Sequence, residues 1–177
     1  RLPPEISAAE LANLLDRLNR DDSVDAILLQ LPLPDGLDAA GFLAQIRPDK
    51  DVDGFHPESV GRLVANLPGP RPCTPAGIME MFRRERIEIR GARAVVVGRS
   101  DIVGKPLSLL LLHQHATVTV CHSRTRDLPA VCREADILCT AIGRPAIIGP
   151  DAIRRGAVVV DVGMNRASSE EEVREYF

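Results

Sequence analysis

Apolar residues recur at helical spacing near the start of the chain. Leu11, Leu14, Leu15 and Leu18 follow Ser7 and Glu10, whose three-residue separation forms a capping box, and together they predict a helix from residue 7 to about Arg20. The pattern then changes to the short apolar run AILLQ at 26–30, stopped by Pro32 and Pro34. It reads as a buried strand whose last side chains open onto the turn LPLPDG. Residues 38–46 are compatible with a second helix, whereas RPDKDVDGFHP at 47–57 is too dense in Asp, Pro and Gly for regular structure of any length. Thr74 before Pro75 has the form of an N-cap and a first helical residue, and predicts a helix from there to about Arg86. The domain boundary is placed at this point, dividing 1–72 from 73–177.

Beyond that helix, strand-like and helix-like patterns alternate: ARAVVVG, PLSLLLLHQ, ATVTVC, LPAVCREA, DILCTAIG and AVVVDVG. Each crossover is long enough for a helix, so the four strands are expected to run parallel. The fold class is α/β with two domains: a small α/β substrate domain followed by a Rossmann-like, doubly wound parallel-sheet domain.

Composition narrows the function classes. With 45% hydrophobic residues over 177 positions, the chain is long and apolar enough to bury a real core. The 22 basic residues stand against 25 acidic ones, so no basic excess exists to draw in nucleic acid or anionic lipid, and neither partner is expected. Runs such as LSLLLL at 107–112 fall far short of the roughly 20 apolar residues that span a bilayer. Cys73, Cys121, Cys132 and Cys139 match neither a zinc ribbon nor a CxxC pair, which fits a reducing cytoplasmic setting. His113, His115 and His122 lack the Cys or acidic companions of a ligand set, so no metal is expected. His113 and His115 fit a helix C-terminus instead. The chain begins with Arg1 and ends in the charged stretch SSEEEVREYF, and reads as a piece of a longer protein.

The segment VVVGRSDIVGKP places Gly98 directly after a strand and Gly104 at the start of a helix, where backbone amides and the helix dipole can hold a pyrophosphate. Ser100 stands where the GxGxxG pattern has its second glycine. From the glycines alone, a dinucleotide loop and a plain strand-to-helix turn remain equal readings. The next strand shifts the balance. An NAD site carries an acidic residue about 20 positions beyond the loop, for the ribose 2′-hydroxyl. Here ATVTVC runs into His122, Ser123, Arg124 and Thr125, donors able to meet a 2′-phosphate, with Arg99 as a second guanidinium on the preceding loop. Either arginine taken singly is more often a solvated surface residue. The pair favours NADP over NAD.

KDVDGFHP gathers Lys50, Asp51, Asp53 and His56 on one loop between the two domains, where pockets tend to form. From spacing alone, a solvated turn is the more frequent meaning of such a cluster. Gln30 is expected at the mouth of the first strand as a buried amide, held either by a ligand or by the neighbouring turn.

Seven strings in order, LLQLPLP, PDKDVDGFHP, GRLV, PCTPAGI, VVVGRSDIVGKPL, ATVTVCHSRT and VVVDVGMN, make the stretch 24–165 resemble the methylenetetrahydrofolate dehydrogenase/cyclohydrolase family. The resemblance implies oxidation of 5,10-methylenetetrahydrofolate by NADP to the 5,10-methenyl form and its hydration to 10-formyltetrahydrofolate in one cleft, as part of one-carbon metabolism. It implies a homodimer in the cytoplasm. Gln30 corresponds to the active-site glutamine and Asp53 to the aspartate that binds the pterin, both catalytic and substrate-binding positions. Gly98, Arg99, Ser100, Gly104, His122, Ser123, Arg124, Gly143 and Met164 correspond to cofactor-binding positions, Ser123 at the 2′-phosphate and Met164, often isoleucine in the family, beside the nicotinamide. The family's catalytic lysine follows a tyrosine on a helix, a motif that neither Lys50 nor Lys105 matches. The resemblance places it upstream of Arg1, and a piece without it is expected to be inactive by itself.

Overall fold

The computed structural model describes residues 2–3, 5–164, 169–170 and 173–174. The chain forms two compact units, residues 1–73 and 74–177.

In the first unit, α1 (Ala8–Arg20) starts as the capping box requires. The Ser7 hydroxyl accepts from the Glu10 amide, and the Glu10 carboxylate accepts from the Ser7 amide at 2.9 Å. Leu11 and Leu15 of α1 pack with Ile27, Phe42 and Ile46 into a small core, Phe42 coming from α2 (Ala39–Gln45). Side chains of this size contribute about 1.5–3 kcal/mol each when fully buried.

The expected strand at 26–30 is reduced to one parallel bridge between Ile27 and Asp51, and Leu28 is 58% exposed. A strand needs a neighbour for successive backbone groups. Among the described residues this segment finds one only at Ile27, whose amide donates to the Lys50 carbonyl at 2.7 Å, before Pro32 and Pro34 remove further donors. The KDVDGFHP loop belongs to the first unit. It leads into α3 (Pro57–Val64), a helix the apolar pattern did not announce; His56 caps it and Pro57 opens it.

The helix predicted from Thr74 begins at Cys73 as α4 (Cys73–Arg84), with Thr74 and Pro75 in its first turn. The second unit then builds β1 (Arg93–Val97), α5 (Gly104–His113), β2 (Thr117–Cys121), α6 (Leu128–Arg133), β3 (Ile137–Thr140), a 3₁₀ turn at Pro150–Ala152 and β4 (Val158–Asp161). All pairings are parallel, as the alternating pattern predicts, and the strand order is β2-β1-β3-β4. Alternation along β1 makes two cores. Ala94 and Val96 face Ile78, Phe82, Leu107 and Leu111 of α4 and α5, while Val95 and Val97 face Cys132 of α6 and Ala152.

The four cysteines are free thiols. Burial pushes Cys139 up to about 12, and burial together with nearby Cys121 pushes Cys132 up to about 11, so neither is a nucleophile at neutral pH. His113 ends α5, as expected for a helix C-terminus, and His115 follows at a left-handed φ of 67°. Among the described residues no three His, Cys, Asp or Glu side chains gather as a metal site, and no helix is long and apolar enough to cross a membrane.

Candidate functional site

In an open parallel sheet the ligand crevice forms at the C-terminal edge, where successive crossovers diverge to opposite sides of the first strand. Here that point lies between β1 and β3, because β2 flanks β1 on one side and β3 on the other. Gly98 stands at its mouth. Its φ is +129°, and an added Cβ would overlap the Ala141 carbonyl oxygen, so the residue is glycine for both conformation and space. Gly104 is glycine for space alone: its Cβ would overlap the Gly98 carbonyl oxygen, which lets α5 start directly behind the loop. Gly143, on the loop after β3, has nothing within 4 Å of an added Cβ.

The loop between the two glycines departs from the helix-terminus arrangement that its sequence implied. The Ser100 hydroxyl accepts from the Val103 and Gly104 amides, both at 3.2 Å, and the Ser100 carbonyl accepts from the Lys105 amide at 3.0 Å. Pro106 has no amide hydrogen. The first turn of α5 therefore has its donors engaged by Ser100, and Ser100 is a cap rather than a displaced phosphate-binding glycine. The amides of Arg99, Ser100, Asp101 and Ile102 have no acceptor among the described residues, so the donors open to an anion belong to the loop itself.

The neighbouring loop after β2 is brought alongside by the sheet. Val97 is in register with Cys121, and the Gly98 amide donates to the Cys121 carbonyl at 2.9 Å. His122 through Thr125 form a closed turn: the Thr125 amide donates to the His122 carbonyl, and the His122 amide donates to Thr125 Oγ1 at 2.8 Å. His122 Nδ1 accepts the Arg124 amide hydrogen at 3.1 Å, so in the neutral ring the proton sits on Nε2 as a donor. Ser123, Arg124 and Arg99 are exposed, and neither arginine has an ion-pair partner among the described residues. Free cations and hydroxyls on two adjacent loops, beside unpaired amides and a glycine cradle, suit a phosphate-bearing dinucleotide.

Sequence reasoning missed a third part of this edge. Thr140, at the end of β3, donates to Asp161 Oδ1 at 2.7 Å, and the same oxygen accepts from the Gly163 amide at 3.0 Å. A Cβ on Gly163 would lie 2.5 Å from the Ile142 carbonyl oxygen. The loops after β3 and β4 are thus locked together, and Met164 follows at 93% exposure. A threonine and an aspartate at the ends of two parallel strands was the available signal.

In the first unit, the four groups of KDVDGFHP separate by role. Lys50 is 6% exposed, and its Nζ donates to the Leu18 carbonyl at 2.9 Å and the Asp21 carbonyl at 2.7 Å, closing the end of α1. Asp51 is 3% exposed and His56 Nδ1 accepts from the Glu58 amide, so both are structural. Asp53 differs. It is half-buried, its carboxylate accepts no hydrogen bond among the described residues, and desolvation followed by the charge of Asp51 raises its pKa above the ordinary value. Gly54 holds the turn beside it, with a φ of +70° and an added Cβ 2.9 Å from the Pro70 carbonyl oxygen. Gln30 is exposed, contrary to the buried amide expected, because its segment is not covered as a strand; its Nε2 donates to the Leu31 carbonyl at 2.9 Å, the neighbouring-turn alternative. Both lysines of the chain are engaged, since Lys105 pairs with Asp101.

Comparison with known proteins decides the family. The family model described as tetrahydrofolate dehydrogenase/cyclohydrolase, NAD(P)-binding domain, matches residues 72–175, and that of the catalytic domain matches residues 1–53. The chain belongs to the tetrahydrofolate dehydrogenase/cyclohydrolase family. Within it, the chain is 54% identical over 175 residues to the bifunctional protein FolD of Koribacter versatilis, covering 99% of this chain and 57% of that one. Against the bifunctional protein FolD of Desulfovibrio desulfuricans the identity is 59% over 171 residues, covering 94% and 60%. The chain thus spans less than two thirds of the length of these family members. Among solved structures of the family, the bifunctional FolD methylenetetrahydrofolate dehydrogenase/cyclohydrolase of Campylobacter jejuni matches with a TM-score of 0.91 at 42% identity, over 99% of this chain and 65% of that one. The Trypanosoma brucei methylenetetrahydrofolate dehydrogenase-cyclohydrolase, complexed with NADP cofactor and an inhibitor, matches with a TM-score of 0.89 at 37% identity, over 99% and 60%.

Proposed function

We propose that this chain belongs to an NADP-dependent enzyme that oxidises 5,10-methylenetetrahydrofolate to the 5,10-methenyl form and hydrolyses that cation to 10-formyltetrahydrofolate. The observation that carries the reading is the pair of loops after β1 and β2, in which Arg99, His122, Ser123 and Arg124 meet beside Gly98 with no acidic residue for a ribose 2′-hydroxyl. NADP supplies the hydride acceptor when bound. Gly98 allows the pyrophosphate close to the backbone; the amides of the 99–102 loop face it, while Ser100 and Gly104 shape the loop. Arg99, His122 Nε2–H, Ser123 and Arg124 hold the 2′-phosphate, and Gly143 and Met164 border the nicotinamide half.

In the first unit, an ionised Asp53 accepts two hydrogen bonds from the amino-pyrimidine of the pterin, filling acceptor positions that no group among the described residues uses. For Gln30 to reach the folate, its Nε2 must release the bond that it donates to the Leu31 carbonyl. The 1–73 unit is on this reading the folate-binding part and the 74–177 unit the cofactor-binding part. Oxidation removes a hydride from the bridging methylene carbon and leaves the methenyl cation; water then adds to that carbon and the ring opens with loss of one proton. The family's catalytic lysine belongs to neither step as performed by Lys50 or Lys105, both already engaged. A cytoplasmic homodimer is the expected assembly, checked by sedimentation of the complete protein.

The test is spectrophotometric detection of NADPH formation by the complete protein with methylenetetrahydrofolate and NADP. Reduction is expected, and none would refute the reading. Asp53→Ala is expected to weaken folate about 100-fold or more, the size of two lost hydrogen bonds to a charged group, and to leave NADP affinity unchanged. Folate titrations of the two proteins check it.

A further inference from the structure

We propose that Asp51 is a positioning residue for the folate site: its buried carboxylate gathers the 52–59 loop around itself and thereby fixes where Asp53 stands. The proposal rests on the reading of Asp53 as the pterin-binding carboxylate.

Two aspartates two residues apart have opposite hydrogen-bonding states. Asp51 Oδ1 accepts from the Gly54 amide at 3.0 Å and the Phe55 amide at 3.3 Å, and Oδ2 accepts from the His56 amide at 2.9 Å and the Ser59 hydroxyl at 2.7 Å. Four donors occupy the roughly four lone-pair positions of a carboxylate, so Asp51 has none left for a ligand, whereas Asp53 uses none of its own within the described residues. The chain leaves Asp51, makes the two-residue excursion Val52–Asp53, and is caught again at Gly54, Phe55 and His56 by the side chain it just left. Lys50 anchors the other end of the excursion to α1, and the φ and tight Pro70 contact of Gly54 leave little room for movement.

Charge shows that the two carboxylates stand close together, although it disfavours the ionised form of Asp53. Of the charged groups around the loop, Lys50 is turned to the Leu18 and Asp21 carbonyls, Asp49 pairs with Arg47, Glu58 pairs with Arg62, and His56 Nδ1 is used by the Glu58 amide. Asp51 is the charge that acts on Asp53, and after desolvation it is the second cause raising that pKa. Folate binding that requires ionised Asp53 is therefore lost as pH falls through this raised value.

Asp51→Asn keeps one acceptor oxygen and sets an NH₂ group against amide donors. It also removes the charge. Carboxyl-carbon NMR titration of Asp53 in the ligand-free chain is expected to move to lower pH, with faster hydrogen exchange at the His56 amide. Tetrahydrofolate binding is expected to fall about tenfold or more, with NADP binding unchanged. Ser59→Ala, which keeps the charge and three amide bonds, is expected to leave the Asp53 titration near that of the parent. An Asp51→Asn chain whose Asp53 titrates as in the parent overturns the proposal, whether tetrahydrofolate binds equally well or weakens only in proportion to the unfolded fraction. An Asp53→Ala chain with undiminished tetrahydrofolate affinity would overturn it differently, by removing the ligand role of Asp53 on which it rests.

Discussion

Gly104→Ala is expected to destabilise the C-terminal unit by roughly 3 kcal/mol, at the upper end of what overpacking a rigid site costs. Alanine is the better helix former by about 1 kcal/mol, and Gly104 is the first residue of α5, so propensity alone predicts the opposite sign. The contact decides. An added Cβ overlaps the Gly98 carbonyl oxygen and lies 2.6 Å from its carbon and 2.9 Å from the Arg99 Cα, all backbone atoms that cannot rotate aside. Relief requires α5 to move from β1, which pulls buried Leu107 and Leu111 from the core they share with Val96. Gly143→Ala is the internal control, since nothing lies within 4 Å of the added carbon, and its effect is expected within about 0.5 kcal/mol. Native-state hydrogen exchange at the Val96 and Val97 amides reads both. Equal protection in the two variants would show that the loop does not need the close approach.

Arg99→Ala is expected to weaken NADP about 10- to 100-fold, the loss of one charge-assisted phosphate contact, while NAD affinity changes by less than about threefold. The guanidinium is exposed and unpaired among the described residues, so removing it leaves no buried carboxylate stranded and the fold should not respond. Arg124→Ala should act in the same direction. Its amide, not its guanidinium, closes the turn on His122 Nδ1, and the backbone survives the substitution. Because both cations sit in solvent, the NADP preference should shrink as salt is added. Isothermal titration of each variant with both nucleotides checks the pair, and equal losses for NADP and NAD would remove the arginines from the phosphate site.

The parallel sheet was legible in the sequence because its two central strands, β1 and β3, are buried on both faces, leaving continuous apolar runs such as AVVV between helical patterns. Capping at Ser7 and Glu10 is a local interaction and could be read locally. The first unit was harder to read. AILLQ has the composition of a strand, yet strand pairing is non-local, and here only Ile27 finds a partner, leaving Gln30 in solvent. The helix α3 escaped notice because its cap is His56, whose ring nitrogen does the work usually done by Ser, Thr, Asp or Asn.

The nucleotide loop shows what spacing does and does not encode. The positions of Gly98 and Gly104 were readable, while their reasons were not: each faces a backbone carbonyl that is distant or unmarked in the sequence. Ser100 looked like a missing glycine, yet it occupies the donors of α5 and leaves the amides of residues 99–102 as those without an acceptor among the described residues. Similarly, Lys50, Asp51 and Asp53 are one charge cluster in sequence. Only the hydrogen bonds separate two buried structural groups from Asp53, whose carboxylate has no donor among the described residues.

The central claim is that the loops after β1 and β2 form a site for a 2′-phosphorylated dinucleotide. Equilibrium titration of this 177-residue chain with NADP and with NAD at low and physiological salt tests it without requiring turnover. The expected result is tighter binding of NADP by about tenfold or more, with the margin narrowing as salt rises; equal affinities, or tighter binding of NAD, would contradict the account.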